Sequence, residues 1–225
     1  MKIDLNRVSV RFQGRPVLTD VTLSLTQRRI GIIGENGSGK TTLARLLNGL
    51  LIPDEGTVEV NGVDTRDDAK AVRRQVGFLF QNPDNQIVMP TVSEDIALGL
   101  KSLSLDAKLV RERVSNILDR FGLTELADRS AHVLSGGEKQ MVALAGAMIT
   151  EPDILVCDEP TTLLDLRNAR RFSKAISDLP CAVITISHNV EQLASYDRVL
   201  VLSDRRVVRD APPNQAIPFY METLS

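Results

Sequence analysis

Apolar and polar residues change their spacing along this chain, and the changes mark out its elements. From Lys2 to Phe12 they partly alternate, and from Val17 to Leu25 they alternate more cleanly. A period of two is that of a strand with one face in a core. Gln13-Gly14-Arg15-Pro16 lies between the two stretches as a turn, so an antiparallel pair is expected. Ile30 to Ile33 is a short apolar run, and Thr57 to Val60 leads into Asn61-Gly62, a hairpin turn signal. Arg66 to Arg74 reads as a charged surface helix and Val76 to Phe80 as a short strand ending at Gln81. Helical periodicity then takes over in Val92 to Leu100 and Asp106 to Phe121, with Thr91 or Ser93 and Asp106 as N-caps. A further helix opens after Leu134-Ser135-Gly136-Gly137-Glu138 and runs through Gln140 to Ile149. Ile154 to Cys157 is apolar without alternation, which a central parallel strand buried on both faces requires. A helix over about Leu166 to Leu179 separates it from the next such run, Cys181 to Ser187. Arg198 to Val208 reads as two short strands around Ser203-Asp204-Arg205-Arg206, and little chain remains after Pro213.

This order is α/β, and composition bounds it further. The 225 residues are 43% apolar and 25% charged, enough for one sizeable core or a core with a lobed insertion. A net charge of −2 gives no global electrostatic footprint for nucleic acid, and none is expected as a partner. The apolar runs fall far short of the ~20 residues that cross a bilayer. The start MKIDLNRV lacks a secretory apolar region, so a cytoplasmic protein is expected. Cys157 and Cys181 each sit in an apolar run and read as buried, reduced thiols.

The chemistry begins at Gly34 to Thr42, GENGSGKTT, between the Ile30 to Ile33 run and an apolar helix start. Glycines at 34, 37 and 39 allow successive backbone N–H groups to face one anion, and the following helix adds the positive end of its dipole. In a phosphate cradle of this pattern Lys40 reaches the β- and γ-phosphates and the Thr41 hydroxyl ligates Mg²⁺. The serine and glycines of Ser135 to Glu138 form a second anion-facing helix start, far from the first, and one nucleotide rarely needs two from one chain. Asp158 and Glu159 close the Ile154 run at the carboxyl end of a parallel strand, where ligands gather. Asp158 suits a Mg²⁺ shell and Glu159 a general base for water. His188 ends the next run on the same rim, whereas His132 has no such context and reads as a loop residue. Phe12 ends the first strand, where an aromatic ring can stack on adenine or be an ordinary half-buried side chain.

With GENGSGKTT, the Gln81 loop, LSGGE, ILVCDEP and His188 in this order, the chain resembles ATP-binding-cassette (ABC) ATPases from end to end. P-loop kinases and small GTPases share the cradle but not LSGGE, and the long coiled coils of chromosome-separating ATPases are absent. The resemblance implies a P-loop fold with a mainly parallel central sheet, an antiparallel β-subdomain and an inserted helical lobe. It implies one ABC domain over 1–225, with a catalytic lobe of about 1–81 and 152–225 and a helical lobe of about 82–151. It also implies ATP and Mg²⁺ as cofactors and two copies paired head to tail, each cradle facing the other's Ser135, Gly136, Gly137 and Glu138. By the same resemblance Phe12 stacks on adenine, and Gly34, Asn36, Gly37, Ser38, Gly39, Lys40, Thr41 and Thr42 bind the phosphates. Thr41, Gln81 and Asp158 hold the metal, Gln81 also senses the γ-phosphate, Glu159 polarises water, His188 contacts the γ-phosphate, and Asp165 lies in the loop that crosses the dimer. Two positions depart from the family: Leu163 stands where a small residue is usual, and Met141 where many members have Arg.

Within the family, FLFQNPDNQIVMPTVSEDIALGL, VRFQGRPVLTDV and RRVVRDAPP resemble the energy-coupling-factor ATPases of vitamin and transition-metal uptake. DEPTTLLDLRNARR and the short C-terminus look most like the ATPase of bacterial biotin transporters. This implies a place on the cytoplasmic face of the membrane, beside an integral-membrane coupling (T) protein and a substrate-binding membrane (S) protein. A cobalt or nickel importer, a soluble ATPase for cofactor assembly and a non-hydrolysing regulatory cassette are the other readings. Intact Gln81, Glu159 and His188 argue against the last.

Overall fold

The structure, a computed structural model, describes residues 1–223. β1 (Ile3–Phe12) and β2 (Arg15–Leu25) pair antiparallel from Ile3↔Leu25 to Phe12↔Arg15. The turn is therefore only Gln13-Gly14, both at positive φ, and not the four residues expected. Pro16 is tolerated inside β2 because β2 is an edge strand of its sheet and its missing N–H faces no ladder. β4 (Glu55–Val60) pairs with β1 and, through the Asn61-Gly62 hairpin, with β5 (Val63–Asp64), giving the sheet order β2-β1-β4-β5.

The second sheet has the order β10-β9-β3-β8-β7-β6. It comprises β3 (Arg29–Gly34), β6 (Val76–Leu79), β7 (Ile154–Asp158), β8 (Ala182–Ile186), β9 (Arg198–Ser203) and β10 (Arg206–Ala211). β6 to β9 and β3 run parallel, and β10 is an antiparallel edge. The parallel strands are buried on both faces, which is why their sequences are apolar without alternation.

Alternate side chains of β7 go to two cores. Ile154 and Val156 join a cluster with the antiparallel sheet, α1 (Lys40–Leu47) and Val72 of α2 (Thr65–Gln75). Leu155 and Cys157 join a cluster with α3 (Val92–Leu98), α4 (Ala107–Phe121), α5 (Gly136–Met148) and α6 (Leu166–Ser177). The helical segment thus shares its core with the far face of the sheet, and Met141 is a buried part of it. Thr91, not Ser93, caps α3 in a reciprocal capping box with Glu94, and Asp106 caps α4. Both cysteines are buried free thiols, and burial pushes each pKa up.

Two helices were not anticipated. α7 (Val190–Leu193) is a single short turn after β8. α8 (Pro213–Thr223) carries Pro218 inside, which reads as a breaker in sequence. It forms because Ala216, Ile217, Phe219 and Tyr220 pack on Val199 and Val201 of β9.

A candidate nucleotide site in two halves

The carboxyl ends of β3, β6, β7 and β8 lie along one edge, and the expected residues follow from them. β3 ends at Gly34 (φ 155), where a Cβ would lie 2.1 Å from the Leu202 carbonyl oxygen. Gly39 (φ 103) caps α1, and a Cβ there would lie 2.6 Å from a Leu18 methyl. Only glycine fits either place, so the loop between them folds tightly back on the strand. Asn36 and Gly37 are exposed on its rim, while Ser38 and Thr42 are buried.

Lys40 is buried and folds over the loop, its Nζ donating to the carbonyls of Gly34 (2.9 Å) and Glu35 (2.8 Å). Burial pulls its pKa down, while Glu159, Asp158 and Glu35 act in the opposite direction. Among the described residues the buried Ser38 Oγ has no hydrogen-bond partner, and α1 has no acidic residue in its first turn. An orphan hydroxyl, a lysine and an uncompensated helix start suit a phosphate group.

Thr41 Oγ1 donates to Asp158 Oδ1 at 3.1 Å, so the two main metal-ligand candidates already touch. Burial raises the Asp158 pKa, the Thr41 bond lowers it, and Glu159 raises it further. Among the described residues no cluster of three or more His, Cys, Asp and Glu could hold a metal alone. One carboxylate and one hydroxyl fit a hard cation that completes its shell with phosphate and water oxygens, as Mg²⁺ does.

Glu159, at φ 48, donates its backbone N–H to Ile186 O (3.0 Å), which locks it against β8. Its Oε1 lies 3.0 Å from His188 Nε2. Its Oε2 accepts from Thr162 Oγ1 (3.1 Å) and Gln81 Nε2 (3.4 Å). The fold therefore gathers Gln81, Glu159 and His188 from three strand ends. Thr162 is a partner that sequence reading did not single out; its signal is the Glu-x-x-Thr spacing at a tight turn.

Ser135, Gly136, Gly137 and Glu138 build a separate group. Ser135 caps α5, and Glu138 Oε2 accepts from Ser135 N (2.8 Å) and Ser135 Oγ (2.6 Å). These bonds, the hydroxyl's first, with Arg129 and Arg171, hold the Glu138 carboxyl below the ordinary glutamate pKa. Asp165 caps α6, accepting from Asn168 N (2.9 Å) and Asn168 Nδ2 (2.7 Å). Among the described residues no hydrogen bond or ion pair connects either the segment 135–138 or Asp165 with the cradle, Asp158 or Glu159. Phe12 stands 47% exposed at the end of β1. The cradle mouth is a notch of about 180 Å³ lined by Glu35 to Ser38, Asp204 and Arg205. Larger clefts of about 670 and 610 Å³ are lined by none of the candidate residues.

The sheet, the cradle and the carboxylates at the strand ends define a P-loop nucleoside triphosphatase. The ABC transporter family profile matches residues 18–162. The chain is 48% identical over 222 residues to the biotin transport ATP-binding protein BioM of Rhizobium etli, covering 99% of each. It is 42% identical over 207 residues to the energy-coupling factor transporter ATP-binding protein EcfA1 of Caldanaerobacter subterraneus, covering 89% of this chain and 75% of the relative. Among solved structures it is similar to a dimeric ATP-binding cassette in a post-hydrolysis state with ADP and phosphate. There the TM-score is 0.84 at 26% identity, covering 94% of this chain and 98% of the other. The chain belongs to the ABC transporter ATP-binding proteins, of the energy-coupling-factor type, and is an ATPase coupled to transport. Among its described residues no helix is long and apolar enough to cross a membrane.

Proposed function

We propose that two copies of this chain pair head to tail around ATP and power an importer of biotin from the cytoplasmic face of the membrane. The observation that carries the pairing is the division of the site. Lys40 folds over the Glu35 to Ser38 loop that lines an open notch, Asp158 ends β7 and Glu159 follows it, while the capped N-terminus of α5 presents Ser135 and Gly136 to solvent, joined to none of these by a hydrogen bond or ion pair among the described residues. Each half lacks what the other has, and a dimer with one half from each copy completes both.

In that arrangement Lys40 and the backbone N–H groups of the cradle bind and orient the triphosphate, with Phe12 under the base. Thr41 and Asp158, joined by Gln81, would hold Mg²⁺, which would supply charge neutralisation at the phosphate oxygens. Glu159 takes a proton from the attacking water, held in orientation by His188, Thr162 and Gln81. Asp165 sits where the α6 start meets the second copy. Residues of about 82–151 form the helical lobe that carries Ser135 to Glu138 toward the partner's cradle, and 1–81 with 152–225 form the catalytic lobe.

The membrane partner docks by an apolar helix on the loop after Gln81. Of its three apolar residues, Ile87 packs on the helical-lobe core, whereas Val88 is 65% exposed. Biotin as cargo is supported by the 48% identity to BioM over the full chain; the chain itself does not touch it. Uptake of labelled biotin, cobalt and nickel in cells lacking this chain tests the assignment. Loss of biotin uptake alone is expected, and loss of metal uptake with biotin uptake intact would assign it to a metal importer.

A further inference from the structure

Ser135 has one hydroxyl proton, and Glu138 holds it. Oε2 of Glu138 accepts from both Ser135 Oγ (2.6 Å) and Ser135 N (2.8 Å), while Glu138 N donates back to Ser135 Oγ (3.4 Å). The serine's only donor side-chain bond is therefore committed within its own helix start, to an ionised acceptor. We propose that Glu138 is a positioning residue that withholds the Ser135 hydroxyl from phosphate, so that its carboxylate sets how much ATP closes the dimer. This rests on the composite-site reading above.

Two effects act in the same direction. A hydrogen bond to a carboxylate is roughly twice as strong as one to a neutral acceptor, so the hydroxyl leaves Glu138 reluctantly. A γ-phosphate arriving from a second copy at the α5 N-terminus also meets a like charge within the first helical turn. Arg129 and Arg171 act on this carboxylate, and among the described residues neither forms an ion pair with it. Glutamine keeps the reciprocal capping pattern, since either residue serves at the third position after a serine cap. Glu138→Gln therefore removes the charge and weakens the grip on the hydroxyl while leaving the helix start capped. A purely structural role for Glu138 predicts no change in that variant.

The test uses the full chain carrying Glu159→Gln, with Mg²⁺ and ATP, and follows dimer formation by sedimentation velocity as ATP is raised. Adding Glu138→Gln should lower the ATP midpoint for dimerisation by about tenfold. ATP affinity measured on dilute monomer should stay the same, because Glu138 faces no phosphate of its own chain. Adding Glu138→Ala should shift the midpoint the same way with a lower melting temperature, since it also loses the cap. In the hydrolysing chain, Glu138→Gln should lower the KM for ATP without raising kcat. A midpoint unchanged or raised in Glu138→Gln, in a background that does dimerise, overturns the role of Glu138 alone. A Glu159→Gln chain that stays monomeric at saturating Mg-ATP overturns the head-to-tail reading and this inference with it.

Discussion

His188 Nε2 stands 3.0 Å from Glu159 Oε1, a contact between the residue that follows β7 and the segment that follows β8. The backbone supports it, because Glu159 N is bonded to Ile186 O and Glu159 sits in a left-handed conformation.

If Glu159 is the general base, Glu159→Gln should lower the hydrolysis rate by about 10²- to 10⁴-fold, the usual contribution of a positioned base. The amide keeps the Thr162 and His188 contacts within reach, so ATP affinity should be nearly unchanged. Phosphate release at saturating Mg-ATP checks this, and a wild-type rate would remove Glu159 from the chemistry.

Asp158 should trade stability for metal binding. Its folded-state pKa is raised by burial, so the aspartate favours folding most below its unfolded pKa and loses that advantage as pH rises through the folded value. Asp158→Asn keeps an acceptor for Thr41 and should stabilise the nucleotide-free chain at pH 7, by about 0.5–2 kcal/mol. The gain should fade toward pH 3, and Mg²⁺ should no longer sharpen nucleotide binding. Thermal melts across pH, with and without Mg-ATP, give both readings.

The fold was largely legible because burial on two faces leaves an unambiguous apolar run, as in Ile154 to Cys157, and because Asp106 and Thr91 are strong capping residues. The cradle, Asp158, Glu159 and His188 could be placed because strand ends locate them. What stayed illegible depends on tertiary packing. α8 forms against β9 in spite of Pro218. Pro16 lies within β2 because that strand is an edge. The closeness of Gly137 to Asn168, where a Cβ would come within 2.5 Å of the amide carbon, joins two segments about thirty residues apart and has no local signature.

The docking loop separates by burial. Val88→Asp should leave folding and ATP binding nearly intact, since that side chain is 65% exposed, yet release the chain from membranes and abolish uptake. Ile87→Asp should instead destabilise the chain by roughly 1–3 kcal/mol through its contact with the helical core. Melting temperatures and membrane flotation distinguish the two, and a membrane-bound, transport-competent Val88→Asp chain would reject the docking surface.

The composite site is the centre of this account, and mixing two inactive variants tests it. Gly137→Asp is a poor choice because its Cβ would displace Asn168 and disturb the Asp165 cap, whereas a Cβ on Gly136 meets nothing within 4 Å. Gly136→Asp should keep or raise stability, an acid in a first helical turn being favourable, while repelling phosphate. Paired with a Lys40→Ala chain, it forms a dimer with one site damaged twice and one intact. Hydrolysis should appear on mixing although neither variant hydrolyses ATP alone. If mixed dimers are captured through tags on both chains and hydrolysis stays at the level of the separate variants, the two halves do not complete one another and the account is wrong.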